Sequence, residues 1–366
     1  VDWTAQAVRP AGLLQPYVPG KPVAQLLREQ GLSEAVKLAS NENPFGPPPA
    51  AIEAIRQAAS QIHRYPDGDG SELKQRLASK HDVDPARILL GNGSNEVLEL
   101  AIRTFAGLGD GVVFSEHAFI VYALAATAAG ADGIAVPESD GLSHDLDAML
   151  AAVDARTKIV CIANPNNPTG SLHELDAIQA FLDELPAHVL VILDEAYYEY
   201  VADEIGDSLK QLHHPGLLIC RTFSKAYGLA GCRIGYGVAD PTIIGLINRF
   251  REPFNVNQLA MSAALAALDE DAWVKEKIAA TLHERGRLEQ FLRSRGCLAV
   301  ASHGNFVLLR HASANTLLLN LESRGMIPRP LAAYGMPDCL RISVGLREEN
   351  DLLMTMLSDS LDELND

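Results

Sequence analysis

Val189-Leu190-Val191-Ile192-Leu193 is apolar at every position and runs straight into Asp194-Glu195-Ala196-Tyr197. A short run with no polar alternation predicts a strand covered on both faces, as in a parallel sheet with crossover helices. Similar runs recur at Arg87 to Leu90, Gly111 to Glu116, Gly133 to Val136, Lys158 to Ala163, Leu217 to Arg221 and Cys232 to Val238, with helical patterns between them. This predicts an α/β fold whose large domain, residues 46–255, is a mostly parallel central sheet covered by helices. In such a sheet ligands bind at the carboxyl ends of the strands, so the residues just past each run are the candidates for chemistry.

After Asn255 the pattern changes. A long helical stretch from about Gln258 to Arg295, broken or kinked, is followed by a strand at Asn305 to Arg310, a helix at Ala314 to Arg324, a strand at Leu340 to Val344 and a closing helix from Glu348. These elements predict a smaller α+β domain over 256–366. Residues 1–45, with the extended Leu14-Gln15-Pro16-Tyr17-Val18-Pro19-Gly20-Lys21-Pro22, form no core alone and are expected to pack as an arm on the small domain and a partner subunit.

The 366 residues carry 30 Lys and Arg against 47 Asp and Glu, a net charge of −17, with 48% hydrophobic and 21% charged residues. That field repels nucleic acid and anionic lipid, so neither is expected as a partner, and any anionic ligand must be held by locally placed cations. Five scattered cysteines without a C-x-x-C pattern point to reduced thiols and a cytoplasmic address. No apolar run approaches the ~18 residues of a membrane span, and Val1-Asp2-Trp3-Thr4 opens no export signal. His213-His214 and the other histidines show no metal spacing, so no metal is expected.

Four clusters could carry chemistry. Gly91-Asn92-Gly93-Ser94-Asn95-Glu96 follows a strand and opens a helix. It is either a phosphate site at a helix N-terminus or a tight turn with Ser94 as cap. Asn164-Pro165-Asn166-Asn167-Pro168-Thr169-Gly170 presents Asn167 at a strand end, unless it is simply a Pro/Asn turn. Asp194 ends a buried strand, where a carboxylate is costly without a partner. A Walker-type magnesium ligand is ruled out by the missing P-loop, and a structural Asp stays open. Arg221-Thr222-Phe223-Ser224-Lys225 leads to Arg233, a cation able to lower the pKa of Lys225 and free its amine for attack on a carbonyl, unless Lys225 is an ordinary solvated loop lysine.

One small molecule needs an amine for its aldehyde, a carboxylate for its ring nitrogen, an amide for its phenolic oxygen, and hydroxyl, N–H and Arg groups for its phosphate: pyridoxal 5′-phosphate. With Leu38-Ala39-Ser40-Asn41-Glu42-Asn43-Pro44, Arg64-Tyr65-Pro66-Asp67-Gly68, Arg329-Pro330-Leu331 and Leu340-Arg341-Ile342-Ser343-Val344-Gly345, the sequence resembles the fold-type I aminotransferases, and within them the histidinol-phosphate aminotransferase family. The resemblance runs from Leu14 nearly to the end. It implies that Lys225 forms a Schiff base with the cofactor and acts as the catalytic base. Asp194 pairs with the ring nitrogen, and Asn167 and Tyr197 bond the ring oxygen. Gly93, Ser94, Asn95, Thr222, Ser224 and Arg233 form the phosphate site, with Tyr65 reaching it from the neighbouring subunit of a homodimer. The ring stacking on the cofactor, commonly Tyr, is Phe119 here. Tyr17, Asn43, Arg329 and Arg341 are the implied substrate ligands, with surface ion pairs the alternative for the two arginines. Glu195 and Glu199 are read as structural. The implied reaction is ping-pong transamination between histidinol phosphate and 2-oxoglutarate in histidine biosynthesis. An aromatic amino-acid aminotransferase or a threonine-phosphate decarboxylase is the alternative.

Overall fold

In the computed structural model, which describes residues 1–14, 16 and 20–365, seven strands form the main sheet. They are β1 (Ile88–Gly91), β2 (Gly111–Ser115), β3 (Asp132–Val136), β4 (Thr157–Ala163), β5 (Leu190–Asp194), β6 (Leu217–Thr222) and β7 (Gly235–Val238). Their spatial order is β1-β7-β6-β5-β4-β2-β3, parallel throughout except for β7, which runs antiparallel to both its neighbours. Every run expected as a strand of the large domain lies in this sheet. β7 starts at Gly235 rather than Cys232 because residues 230–232 form a helical turn and Arg233 has a φ of 60°, which a strand cannot accommodate.

The unbroken apolar runs follow from what lies on each face. Ile159, Cys161, Leu190, Ile192 and Leu218 pack against helices Ser94–Phe105, Val121–Ala129 and Pro241–Ile247. Their neighbours Val160, Ile162, Val191, Leu193 and Ile219 point the other way, against helices Leu146–Ala151 and Leu175–Glu184. With both faces covered, neither half of the period-2 pattern can be polar.

A second sheet, β8 (Leu298–Val300), β9 (Phe306–Arg310), β10 (Arg329–Leu331) and β11 (Met336–Ser343), is antiparallel in the order β10-β11-β9-β8. Helices Asp271–Ser294, Ala314–Ser323 and Arg347–Asn365 cover it through Leu288, Leu292, Leu317, Leu321, Leu353 and Leu357. The long helical stretch breaks between Ala267 and Asp271. Its first half, Gln258–Ala267, buries Ala260, Met261 and Ala264 with Leu73, Leu77 and Leu90, so in packing it goes with the main sheet.

The N-terminal stretch divides its contacts. Val36–Lys37 pairs in parallel with Met326–Ile327, and Lys21 Nζ bonds Glu322 at 2.5 Å, which ties this part to the smaller sheet's helices. Helix Arg9–Leu13 rests instead on helix Val121–Ala129, while helix Trp3–Gln6 buries no side chain. Tyr17 lies outside the described residues. Among those residues no helix is long and apolar enough to cross a membrane.

Candidate active site

The chemistry-bearing residues collect at the carboxyl edge of the main sheet. β5 ends on Asp194, whose side chain is buried at the strand end. The carboxylate accepts hydrogen bonds from the Tyr122 hydroxyl at 2.7 Å and from the Ala196 N–H at 3.2 Å. Burial lifts its pKa to about 6, against the pull of those two bonds and of the Lys225 charge. The principal partner of this carboxylate is therefore a phenol from helix Val121–Ala129, which the sequence reading did not single out.

β6 ends at Thr222, and the chain turns to carry Lys225 into the same cleft. The Ser224 N–H donates to Thr222 Oγ1 at 3.1 Å and the Thr222 hydroxyl donates to Ser224 Oγ at 3.0 Å, which closes the turn. Lys225 Nζ donates to the Ser40 carbonyl at 3.0 Å. Burial, and after it the Arg341 charge, push its pKa down to about 7, with Arg233 contributing less. At neutral pH a large share of the amine is therefore unprotonated, the form a nucleophile or base requires.

The start of helix Ser94–Phe105 faces Arg233. Gly93, at φ 82°, is the cap and Ser94 the first helical residue, so Ser94 is not the N-cap; no side chain caps the helix, although Glu96 reaches back to the Asn92 N–H at 2.6 Å. The Arg233 guanidinium bonds the Ala230 carbonyl at 3.1 Å and Ser224 Oγ at 3.4 Å. A Cβ on Gly93 would come within 2.5 Å of Arg233 Nη2, and one on Gly235 within 2.3 Å of the Ser94 nitrogen. The two glycines thus let a guanidinium, a helix N-terminus and two hydroxyls converge on one point, a cradle suited to a phosphate.

These groups line one cavity of about 180 Å³: Ser94, Asn95, Thr222, Ser224 and Arg233, together with Asn167, Asp194, Tyr197 and Lys225. Phe119 forms part of the wall and meets Tyr122 edge-on at 5.9 Å. The donor set fits pyridoxal 5′-phosphate: an anion cradle, an amine of depressed pKa and a buried carboxylate occupy one cleft. Asn167 Oδ1 accepts from Arg341 Nη1 at 2.5 Å, so the NH2 is the end of this cavity-lining amide left to donate.

Arg341 also donates to the Ala39 carbonyl at 2.8 Å, and its Nε is buried with no hydrogen-bond partner among the described residues. Across the β10–β11 ladder Arg341 is the direct register partner of Arg329, and both are buried. Two like charges side by side are unfavourable in a sheet, and an anion beside them relieves that cost. Asn43 is used differently: its amide donates to the Ala226 carbonyl at 2.9 Å and accepts from the Phe45 N–H at 3.0 Å, so the structure does not bring it into the cleft. Asn41 instead reaches the site, donating to Tyr197 Oη at 2.8 Å. Tyr65 is 82% exposed, stacked on Phe254 at 4.6 Å, and does not line the cleft of its own chain.

Behind the site, Arg221 bonds Glu195 at 2.8 Å and Asp207 at 3.1 Å and lies 3.4 Å from the centre of the Tyr198 ring. This buried cluster ties β6 to the turn after β5, which is the structural role expected of Glu195.

The Aminotransferase class I and II family model matches residues 33–357. A histidinol-phosphate aminotransferase 2 of Pseudomonas aeruginosa is 48% identical over 98% of this chain and 99% of its own length. A histidinol-phosphate aminotransferase of Methylobacillus flagellatus is 47% identical over 95% of each. Among solved structures, a histidinol-phosphate aminotransferase from Sinorhizobium meliloti in complex with pyridoxal-5′-phosphate superposes with a TM-score of 0.88 at 31% identity, over 98% of both chains.

Glu199 supplies a test of the electrostatics around the cleft. Its Oε2 is sealed off without a hydrogen-bond partner among the described residues, and burial lifts the carboxyl from 4.5 to about 7. Because the folded-state pKa is the higher one, the stability this group allows at low pH is lost as pH rises through about 7. Glu199→Gln should therefore stabilise the protein by roughly 1–3 kcal/mol at pH 8 and by little at pH 5, read from urea denaturation. An equal gain at both pH values would show that the carboxyl does not titrate in this range.

Proposed function

Because the chain belongs to the class I and II aminotransferase family, we propose that it transfers an amino group from histidinol phosphate to 2-oxoglutarate, with pyridoxal 5′-phosphate as cofactor, in histidine biosynthesis. The observation that carries the substrate is near-half identity, over almost the whole length, to relatives named for it. The Arg329–Arg341 pair supports the same reading, because that substrate is a phosphate ester and its co-substrate a dicarboxylate.

When bound, pyridoxal phosphate supplies an aldehyde that condenses with amines and a ring that takes up the electron pair left at the amine-bearing carbon. The Ser94 and Asn95 N–H groups, the hydroxyls of Thr222 and Ser224, and Arg233 would hold its phosphate, with Gly93 giving room. Asp194, steadied by Tyr122, would keep the ring nitrogen protonated. Asn167 and Tyr197 would donate to the ring oxygen, and Phe119 would cover the ring's face. Lys225 would supply the amine that holds the cofactor, and in its neutral form Lys225 Nζ would be the base that takes the proton from the substrate's amine-bearing carbon and later gives it back. Arg341 and Arg329 would bind the substrate anion, so that phosphate and carboxylate substrates bind in turn, with ping-pong kinetics.

A homodimer with shared active sites completes the proposal. Tyr65 and Phe254 form an exposed aromatic pair, and Ile62 and Phe250, close to them in sequence, are exposed as well, apolar surface suited to a second copy. Tyr65, and Tyr17 from the arm, would then serve the neighbouring cleft. The division into an arm (1–45), a large domain (46–255) and a small domain (256–366) belongs to this proposal, with helix Gln258–Ala267 riding on the large domain. A cytoplasmic address accords with five free cysteines. Mixing Lys225→Ala with Tyr65→Ala protein should restore activity through heterodimers with one intact site; no recovery, with an active monomer in sedimentation, would refute the shared site.

Substrate choice is tested at Arg329. A charged hydrogen bond of about 1.5–3 kcal/mol means that Arg329→Ala should lower kcat/KM for histidinol phosphate by roughly ten- to a hundredfold. The loss for phenylalanine should be smaller. Equal losses, or faster turnover of phenylalanine by the unaltered enzyme, would favour an aromatic aminotransferase, and carbon dioxide release from threonine phosphate would favour the decarboxylase.

A further inference from the structure

We propose that Asn41 is a positioning residue that sets the direction of the Tyr197 hydroxyl proton and so makes Tyr197 a hydrogen-bond donor toward the cleft. The proposal rests on the reading that the cofactor's ring oxygen binds at Tyr197.

The directions of the bonds fix the argument. The Asn41 backbone N–H donates to Ser343 Oγ at 2.8 Å. An N–H can only donate, so the Ser343 oxygen is the acceptor there and its own proton serves another bond, to Asn41 Oδ1 at 3.1 Å. The carbonyl end of the amide therefore faces Ser343, and its NH2 end reaches Tyr197 Oη at 2.8 Å. The tyrosine oxygen accepts in that bond. Burial holds the phenol's pKa up at about 12, so the oxygen also carries a proton, and that proton must point away from Asn41. Tyr197 lines the cleft beside Asp194 and Lys225, and its ring is set edge-on against Phe306 at 5.3 Å.

Asn41 is itself closely held. It is 1% exposed, its φ of 53° is one that Asn and Asp tolerate best among residues with a Cβ, and its carbonyl accepts from Asn305 Nδ2 at 3.0 Å. Ser343 ends β11 and Asn305 precedes β9, so the smaller sheet must be docked for the amide to hold this orientation.

The test is spectroscopic. A donor to the ionised ring oxygen favours the ionised form, so its loss moves the proton's midpoint upward. Asn41→Asp keeps the size and tolerates the left-handed backbone, but its carboxylate accepts where the amide donated, and the Tyr197 proton turns back to it. In protein loaded with pyridoxal phosphate, Asn41→Asp and Tyr197→Phe should each raise the pH midpoint of the cofactor's visible absorbance change by about one unit. The double variant should match Tyr197→Phe alone. Ser343→Ala, which frees the amide to flip, should shift the midpoint the same way by less, and serves if Asn41→Asp does not fold. If Tyr197→Phe moves the midpoint but neither Asn41→Asp nor Ser343→Ala does, the proposal is overturned. It is also overturned if Asn41→Asp moves the midpoint as far in the Tyr197→Phe background, since the added charge would then be acting directly. If Tyr197→Phe has no effect, the placing of the ring oxygen at Tyr197 fails, and the proposal falls with it.

Discussion

Asp194 and Lys225 are both ionisable, the first buried and the second half-buried, and they enter one cleft from the ends of two adjacent parallel strands. Removing them from water disfavours the charged form of each, which is why the carboxyl rises to about 6 while the amine falls to about 7. The amine's shift leaves a large share of it neutral near pH 7. The carboxylate has to be held ionised against its burial, and the Tyr122 hydroxyl and Ala196 N–H act in that direction. The dryness comes from the fold: strands apolar on both faces can be covered by helices on both sides, and the cleft opens only at their carboxyl edge.

Three consecutive residues of the N-terminal stretch close that edge. Ala39 gives its carbonyl to Arg341, Ser40 gives its carbonyl to Lys225, and Asn41 gives its amide to Tyr197. The stretch is in turn sewn to the smaller sheet through the Ser343 N–H on the Leu38 carbonyl, and to the strand Met326–Ile327 through the Leu38 N–H on the Ile327 carbonyl. The residues that would hold the cofactor on the main sheet and those that would hold the substrate anion on β10 and β11 are therefore joined through a segment with almost no regular structure of its own. Arg341 shows the coupling most directly, because the guanidinium that would bind the substrate anion also holds the Asn167 amide.

What was legible in the sequence and what was not divide along physical lines. The seven strands announce themselves by local apolarity, and Asp194, Asn167 and Lys225 by their place just past a strand. The partners of those residues do not. Tyr122 stands 72 residues from Asp194 and Asn41 stands 156 from Tyr197, and no periodicity encodes such meetings. Asn41 and Asn43 sit in one Asn-Glu-Asn motif. What separates them is the left-handed backbone at Asn41, a conformation set by tertiary contacts rather than by residue type. The short strands Leu298–Val300 and Arg329–Leu331 were also illegible, since three residues are too few to show alternation and Pro330 argues against a strand. The pairing of Arg329 with Arg341 depends on that register and so appears only in the folded molecule.

The central claim is that the fold itself, before any cofactor binds, renders the Lys225 amine neutral near pH 7. The direct measurement is the pH dependence of reductive methylation of each lysine in the cofactor-free protein, followed by peptide mass spectrometry. The account predicts that Lys225 reacts with a midpoint near pH 7, about three units below an ordinary lysine. A midpoint for Lys225 above pH 10, together with the exposed lysines, would contradict it.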